Sequence, residues 1–317
     1  MTDNPFSAFW EKLSQKVSAP PIDIDWADQI SRMRQSFVSA SQAIETDVPD
    51  MAQVRDIDID GAAGPLTARI YTPYAAGVQP GPALVYFHGG GFVIGDIDSF
   101  DTICRRLADA SRCRVMSVEY RLAPEHKFPA QIEDALAAWS WAAEHAQEWG
   151  ADAERLAIGG DSAGANLCIN ILVDASTGRA PMPAFHLLIY PLVQFVDIRE
   201  KKLKLHEGPF ISGAIWNFFR KAYLPDGQDP MDPRISPLFF GDFSRFPPGH
   251  VITAGWDPLR DEGRAYAARL ANCGVSVSER DYPAQPHGFF NMTPVSLPAR
   301  EAVAEAGRRL ARALAAR

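Results

Sequence analysis

The sequence predicts an α/β protein: an eight-stranded, mostly parallel sheet flanked by helices, with a small helical cap. Three observations carry that expectation. From about residue 54, short β-rich runs alternate with longer helical patterns, which is how strand–helix–strand crossovers read in a sequence. Two of the runs end in glycine-rich turns, at Gly89–Gly91 and Gly160–Gly164. Two stretches break the alternation: 1–45, with Trp, Phe and Met at helix-like spacing, and 195–246, which combines Pro, Phe and a basic patch.

Taken in order, Val54–Asp60 and Leu66–Pro73 flank an Asp60-Gly61 turn signal and predict an opening antiparallel hairpin. The apolar runs Ala83–Phe87, Arg114–Glu119, Leu156–Gly159, Phe185–Tyr190, His250–Ala254 and Val275–Tyr282 are short enough to be strands. Helices are expected near Asp98–Ser111, Gln131–Trp149, Ala163–Ala175 and Glu262–Asn272, and from Leu297 towards Arg317. The resulting organisation is an N-terminal cap segment (1–45), the first part of a sheet domain (46–194), a cap insert (195–246) and the second part of the sheet domain (247–317). Arg199, Lys201, Lys202 and Lys204 in the insert read as a solvated face.

Composition narrows the function. The chain is 47% apolar and 22% charged, and its 317 residues can bury a sizeable core. With 31 basic against 39 acidic residues the net charge is −8, so no overall field gathers phosphates, and nucleic acid is not expected as a partner. No run approaches the ~18 apolar residues of a spanning helix, and no basic start precedes an apolar stretch. No membrane association and a cytoplasmic location are therefore expected. Cys104, Cys113, Cys168 and Cys273 show no C-x-x-C and no zinc spacing, which predicts buried free thiols and no metal. Asp56-x-Asp58-x-Asp60-Gly61 begins like a calcium loop, but Thr67 stands where the bidentate glutamate is required. A strand with one acidic face explains it better.

Chemistry concentrates at four places. Gly160-Asp161-Ser162-Ala163-Gly164 follows an apolar strand and precedes a helical pattern, the setting in which a serine is lifted above a sheet on a strained turn. The second place, His88-Gly89-Gly90-Gly91-Phe92, ends another strand. Residues without a Cβ let backbone amides approach a developing oxyanion there. A dinucleotide fingerprint would need glycine at 94, where Ile94 stands. His88, before the loop, reads as a structural histidine. Asp257 follows the seventh predicted strand and His287 the eighth, and loops at the C-terminal ends of parallel strands meet on one rim.

A serine nucleophile needs an imidazole to take its proton and a carboxylate to fix the tautomer. Singly, His287 could be structural, and Asp257 or the better-placed Asp261 could cap a helix. Four features in the right order make that coincidence hard to sustain. His126, His145, His186, His206 and His250 all precede the acid, leaving only His287 downstream.

These motifs, with Tyr120-Arg121-Leu122-Ala123-Pro124-Glu125-His126, Asp257–Glu262 and His287-Gly288-Phe289, resemble the bacterial hormone-sensitive-lipase family of esterases, in its Gly-Asp-Ser-Ala-Gly subgroup. The resemblance implies an α/β-hydrolase fold capped by the N-terminal segment and the insert after strand six. It also implies cofactor-free hydrolysis of acyl esters as small-molecule substrates. Carried over by position, it makes Ser162, Asp257 and His287 a triad and Gly90, Gly91 and Ala163 the oxyanion donors. The substrate pocket is expected among Phe92, Asp161, Phe210, Trp216, Phe219, Trp256 and Phe289, with Phe218 as a cap neighbour; ordinary core packing is the competing role of the cap aromatics. A homodimer through an edge strand or the cap accords with the family, though no residue points to it. Trp256 before the acid and Pro286 before the histidine are local departures, the proline pushing Gln285 towards an extended conformation. Amides, carbamates or lactones would suit the same machinery, and a binding protein that has lost its base is the reading from another class.

Overall fold

A computed structural model describes residues 26–43, 47–77, 79–196 and 213–315. Its strands are β1 Gln53–Gly61, β2 Gly64–Thr72, β3 Gly81–Phe87, β4 Arg114–Val118, β5 Ala151–Asp161, β6 His186–Ile189, β7 Gly249–Trp256 and β8 Val277–Pro286. They form one sheet in the order β1-β2-β4-β3-β5-β6-β7-β8. β2 is antiparallel to both β1 and β4, and every other pair is parallel.

All eight predicted strands are present, with two shifts. The hairpin turn falls on Ala62-Ala63 rather than Asp60-Gly61, because Asp60 and Gly61 still pair with Pro65 and Gly64. β5 begins at Ala151, well before its apolar run, because Ala151 pairs with Gly81 across a register shift. The acidic face of β1 is met by a cation across the hairpin: Arg69, opposite Asp56, contacts its carboxylate at 2.7 Å.

Seven helices lie among the described residues: α1 Trp26–Ala43, α2 Asp101–Ser111, α3 Ala130–Glu144, α4 Ala163–Ser176, α5 Gly213–Tyr223, α6 Arg260–Asn272 and α7 Leu297–Ala315. Alternation along β3 sends Ala83, Val85 and Phe87 into one buried cluster and Leu84 and Tyr86 into the other. Trp139 of α3, Leu167 of α4 and Leu270 of α6 cover the first face; Leu107 of α2 and Leu310 of α7 cover the second. Burying one such leucine side chain contributes about 1.5–3 kcal/mol. Sheets of this kind are wrapped on both sides, so their central strands are apolar on both faces.

Cys104, Cys113 and Cys168 are buried and Cys273 half-buried, all as free thiols. Among the described residues no helix is long and apolar enough to cross a membrane. The basic patch of the insert, His206 and Phe210 lie outside the described residues.

Parallel pairing brings the C-terminal ends of β3 to β8 to one rim. Glu119, just past the end of β4, helps fix that rim by accepting the Ile97 N–H on Oε2 at 2.8 Å. Burial pushes its carboxyl up from 4.5 to about 7, and Asp96 and Asp98 add to the effect. The folded state therefore holds a proton that the unfolded chain has already released between about pH 4.5 and 7, and this group's contribution to stability falls as pH rises through that window. Glu119→Gln removes the titration. Thermal melts are expected to show the variant gaining a few degrees over wild type at pH 8 relative to pH 5; an equal difference at both pH values would mean the carboxyl does not titrate there.

Candidate active site

Ser162 occupies the single residue between β5 and α4, with φ 52° and ψ −115°. An L-residue held there stores about 1–3 kcal/mol of strain. Its N–H donates to Ile189 O at 2.9 Å, and its carbonyl accepts the Leu192 N–H at 3.1 Å. The glycines on either side are required by proximity: a Cβ on Gly164 would lie 1.9 Å from Phe87 O, and one on Gly160 would lie 2.6 Å from the same oxygen.

His287 follows β8 directly, and its N–H donates to Trp256 O at the end of β7 at 3.2 Å. Gln285 is extended within β8, as the following proline demands. The imidazole Nδ1 lies 2.7 Å from Asp257 Oδ2, and Nε2 lies 3.0 Å from Ser162 Oγ. An ionised carboxylate only accepts, so the proton belongs on Nδ1 and the Nε2 lone pair faces the hydroxyl. Asp257 Oδ1 also accepts the Leu259 N–H at 2.8 Å, so one carboxylate closes its own turn and holds the ring. Asp261, expected to cap α6, lies within its first turn instead, and Leu259 precedes the helix. Ser162, Asp257 and His287 are 7%, 1% and 8% exposed, which leaves little water to compete for these bonds.

In the glycine loop Gly90, Gly91 and Phe92 all have left-handed φ, at 109°, 63° and 64°. Val93 and Ile94 both donate to Gly90 O, at 3.1 and 3.0 Å. Among the described residues no hydrogen bond takes up the N–H of Gly90, Gly91 or Ala163. Phe92 tolerates its backbone because its ring stacks on Tyr223 at 4.0 Å.

His88 supports this loop. Its Nδ1 lies 2.7 Å from Gly89 O, and its ring stacks on Tyr120, whose hydroxyl donates to His88 O at 2.7 Å. Burial pushes the imidazole down to about 4, so it stays neutral. Arg121 holds the buried Asp134 at 2.7 Å, which ties the Tyr120–His126 segment to α3.

Of the residues expected to line a pocket, three turn inward. Phe92 and Phe289 have no exposed surface: Phe92 is pinned by its stacking on Tyr223, and Phe289 packs among Tyr190, Tyr282 and Phe290. Asp161, 2% exposed, points away from solvent, and its Oδ1 accepts both the Tyr86 hydroxyl and the Gly89 N–H at 2.8 Å. Burial pushes its carboxyl up to about 6, against the pull of those two bonds and of nearby His287. Trp216 is buried against Phe195, and Phe218 is buried beside it in the same cluster. Phe219 lies directly on the glycine loop, its ring 2.6 Å from where a Cβ of Gly91 would stand. Trp256 is 43% exposed beside Asp257.

Two further residues carry no local signal in the sequence. Tyr190, at the end of β6 with φ 34°, sets its ring 4.7 Å from that of His287. Arg34, on α1, donates to Val93 O at 2.8 Å and Ala123 O at 2.9 Å, and forks onto Glu125 at 2.9 and 2.8 Å.

Comparison with known proteins places this geometry. A family model described as alpha/beta hydrolase fold matches residues 84–291. The carboxylic ester hydrolase LipN of Mycobacterium tuberculosis is 41% identical over 75% of this chain, an alignment spanning 65% of that protein, a little under two thirds of its length. The esterase LipI of the same organism is 36% identical over 92% of this chain and 90% of its own. Among solved structures, an ester-hydrolase from the metagenome of Lake Arreo, complexed with a bipyridine phosphonate derivative, superposes with a TM-score of 0.89 at 39% identity, covering 98% of both chains. A hyperthermophilic esterase from Pyrobaculum calidifontis gives 0.85 at 36% identity, over 96% of this chain and 97% of its own.

The contact between Gly164 and Phe87 O sets a measurable expectation. Gly164→Ala must push a backbone carbonyl aside and should cost about 3 kcal/mol or more. Gly178→Ala, at a left-handed position with nothing within 4 Å of the added carbon, should cost about 1–2 kcal/mol. Chemical denaturation of the two variants compares them directly, and equal costs would show that the turn has room to spare.

Proposed function

The chain belongs to the alpha/beta hydrolase fold family, and from that membership we propose that it is a serine carboxylesterase hydrolysing short- to medium-chain acyl esters through Ser162, His287 and Asp257. The observation that carries the proposal is the continuous relay from Asp257 Oδ2 through both imidazole nitrogens to Ser162 Oγ, with spacings of 2.7 and 3.0 Å. The names of LipN and LipI support the same reaction class.

In this reading His287 Nε2 takes the hydroxyl proton as Ser162 Oγ attacks the ester carbonyl. The carbonyl oxygen becomes an oxyanion and is met by the amides of Gly90, Gly91 and Ala163, in the role of preset donors. Collapse of the tetrahedral intermediate returns the proton to the departing alkoxide and leaves an acyl-serine. Water repeats the sequence and releases the acid. Asp257 fixes the tautomer and stabilises the imidazolium while it exists.

The cap is assigned to 1–45 and 195–246. Two of its described elements, α1 and α5, reach the glycine loop and its exit, through Arg34 on Val93 and Phe219 on Gly91. Phe219 then forms the wall nearest the scissile carbonyl, with Trp256 on the exposed side.

Ser162→Ala should abolish turnover of p-nitrophenyl butyrate by at least about 10⁴-fold while leaving the thermal melt unchanged, and a fluorophosphonate should label wild type at this one serine. Residual turnover near wild type, or labelling elsewhere, would overturn the assignment. Phe219→Ala opens space above the loop and should move the acyl-length optimum, read over C2 to C12 esters, towards longer chains; an unmoved optimum would take Phe219 out of the pocket.

A further inference from the structure

Asp161 has no place in the relay, yet it is among the most enclosed charged groups in the molecule. Its Oδ1 accepts two hydrogen bonds at 2.8 Å, from the hydroxyl of Tyr86 on β3 and from the N–H of Gly89, the first glycine of the loop. The contact with the loop is close: a Cβ on Gly89 would stand 2.4 Å from Asp161 Oδ2 and 3.0 Å from Asp161 O. Asp161 is also bonded covalently to Ser162. Beyond the pairing of β3 with β5, the strand end carrying the serine and the loop carrying the amides thus share a hydrogen-bonded link at one carboxylate oxygen.

We propose that Asp161 is a positioning residue for the oxyanion loop: by anchoring the Gly89 N–H to the residue preceding Ser162, it makes the amide donors and the attacking oxygen move as one body. The inference rests on the reading of Ser162 as nucleophile. It assigns Asp161 no contact with substrate, and it places the effect in the transition state. Asp161 is enclosed rather than open to a substrate, whereas the oxyanion forms only as the carbonyl carbon becomes tetrahedral. A displacement of the donors by about 1 Å costs on the order of 10²-fold in rate when geometry has been preset.

Two substitutions separate the anchor from mere packing. Asp161→Asn keeps an oxygen at Oδ1 that accepts from the same two donors, and Asp161→Ala keeps none. With p-nitrophenyl butyrate as substrate, Asp161→Ala should lower kcat by about 10- to 100-fold with KM within about threefold of wild type. Asp161→Asn should restore kcat to within about tenfold of wild type.

The proposal falls if Asp161→Ala keeps its kcat and loses only melting temperature, if KM rises while kcat holds, or if Asp161→Asn is as slow as alanine. Should the alanine variant not fold, the asparagine variant decides alone: kcat within tenfold supports the anchor, and a larger loss in a folded protein overturns it. Ester turnover by wild type that vanishes in Ser162→Ala, beside an unaffected Asp161→Ala, would sink this inference and leave the assignment of the nucleophile standing. A wild type that cleaves no ester would remove both.

Discussion

The approach of two backbones, the end of β3 against the turn after β5, is the constraint on which the rest of the site depends. Phe87 O lies where a side chain at Gly164 or Gly160 would stand, and this closeness turns Ser162 sharply enough to leave its backbone at φ 52°. A strained residue persists only where its surroundings over-determine it. Here they include parallel pairing of β5 on both sides, the donation from Ser162 to Ile189, and apolar cover on both faces of the sheet. The glycine loop begins immediately beyond Phe87, so the same approach also sets the distance between hydroxyl and amides.

Two carboxylates stand near the imidazole with different environments. Asp257 is bonded to the ring nitrogen and to an amide of its own turn. Asp161 faces the phenols of Tyr86 and Tyr190 and a loop amide, and burial raises its carboxyl to about 6. Neutral His88 completes the underside of the loop, stacked on Tyr120 and desolvated.

Much of this arrangement was legible in the sequence because its determinants are local. Strand-length apolar runs separated by helical patterns specify the sheet, and glycines flanking Ser162 reveal a turn that no other residue would fit. Asp257 and His287 could be placed because strand ends share one rim. What could not be read depends on side chains meeting across long separations. Phe92 and Phe289 look like pocket aromatics in a linear string, yet both point inward, since facing direction follows from φ and from partners such as Tyr223 and Tyr190. Asp161 sits inside the most recognisable motif in the chain, and nothing local says that its carboxylate serves Gly89. Tyr190 and Arg34 have no motif at all; a tyrosine ending a strand and an arginine on an amphipathic helix are ordinary until the fold closes.

The fork of Arg34 links the first described helix to the carbonyls of Val93 and Ala123 and to Glu125. A helix held in this way is thermodynamically coupled to whatever shifts those carbonyls, and such coupling is reciprocal. A change that displaces those carbonyls would weaken the seating of α1, and a change in the seating of α1 would act back on them. The first described helix is therefore tied energetically to the segments on either side of the sheet end, at Val93 and at Ala123–Glu125, through one guanidinium.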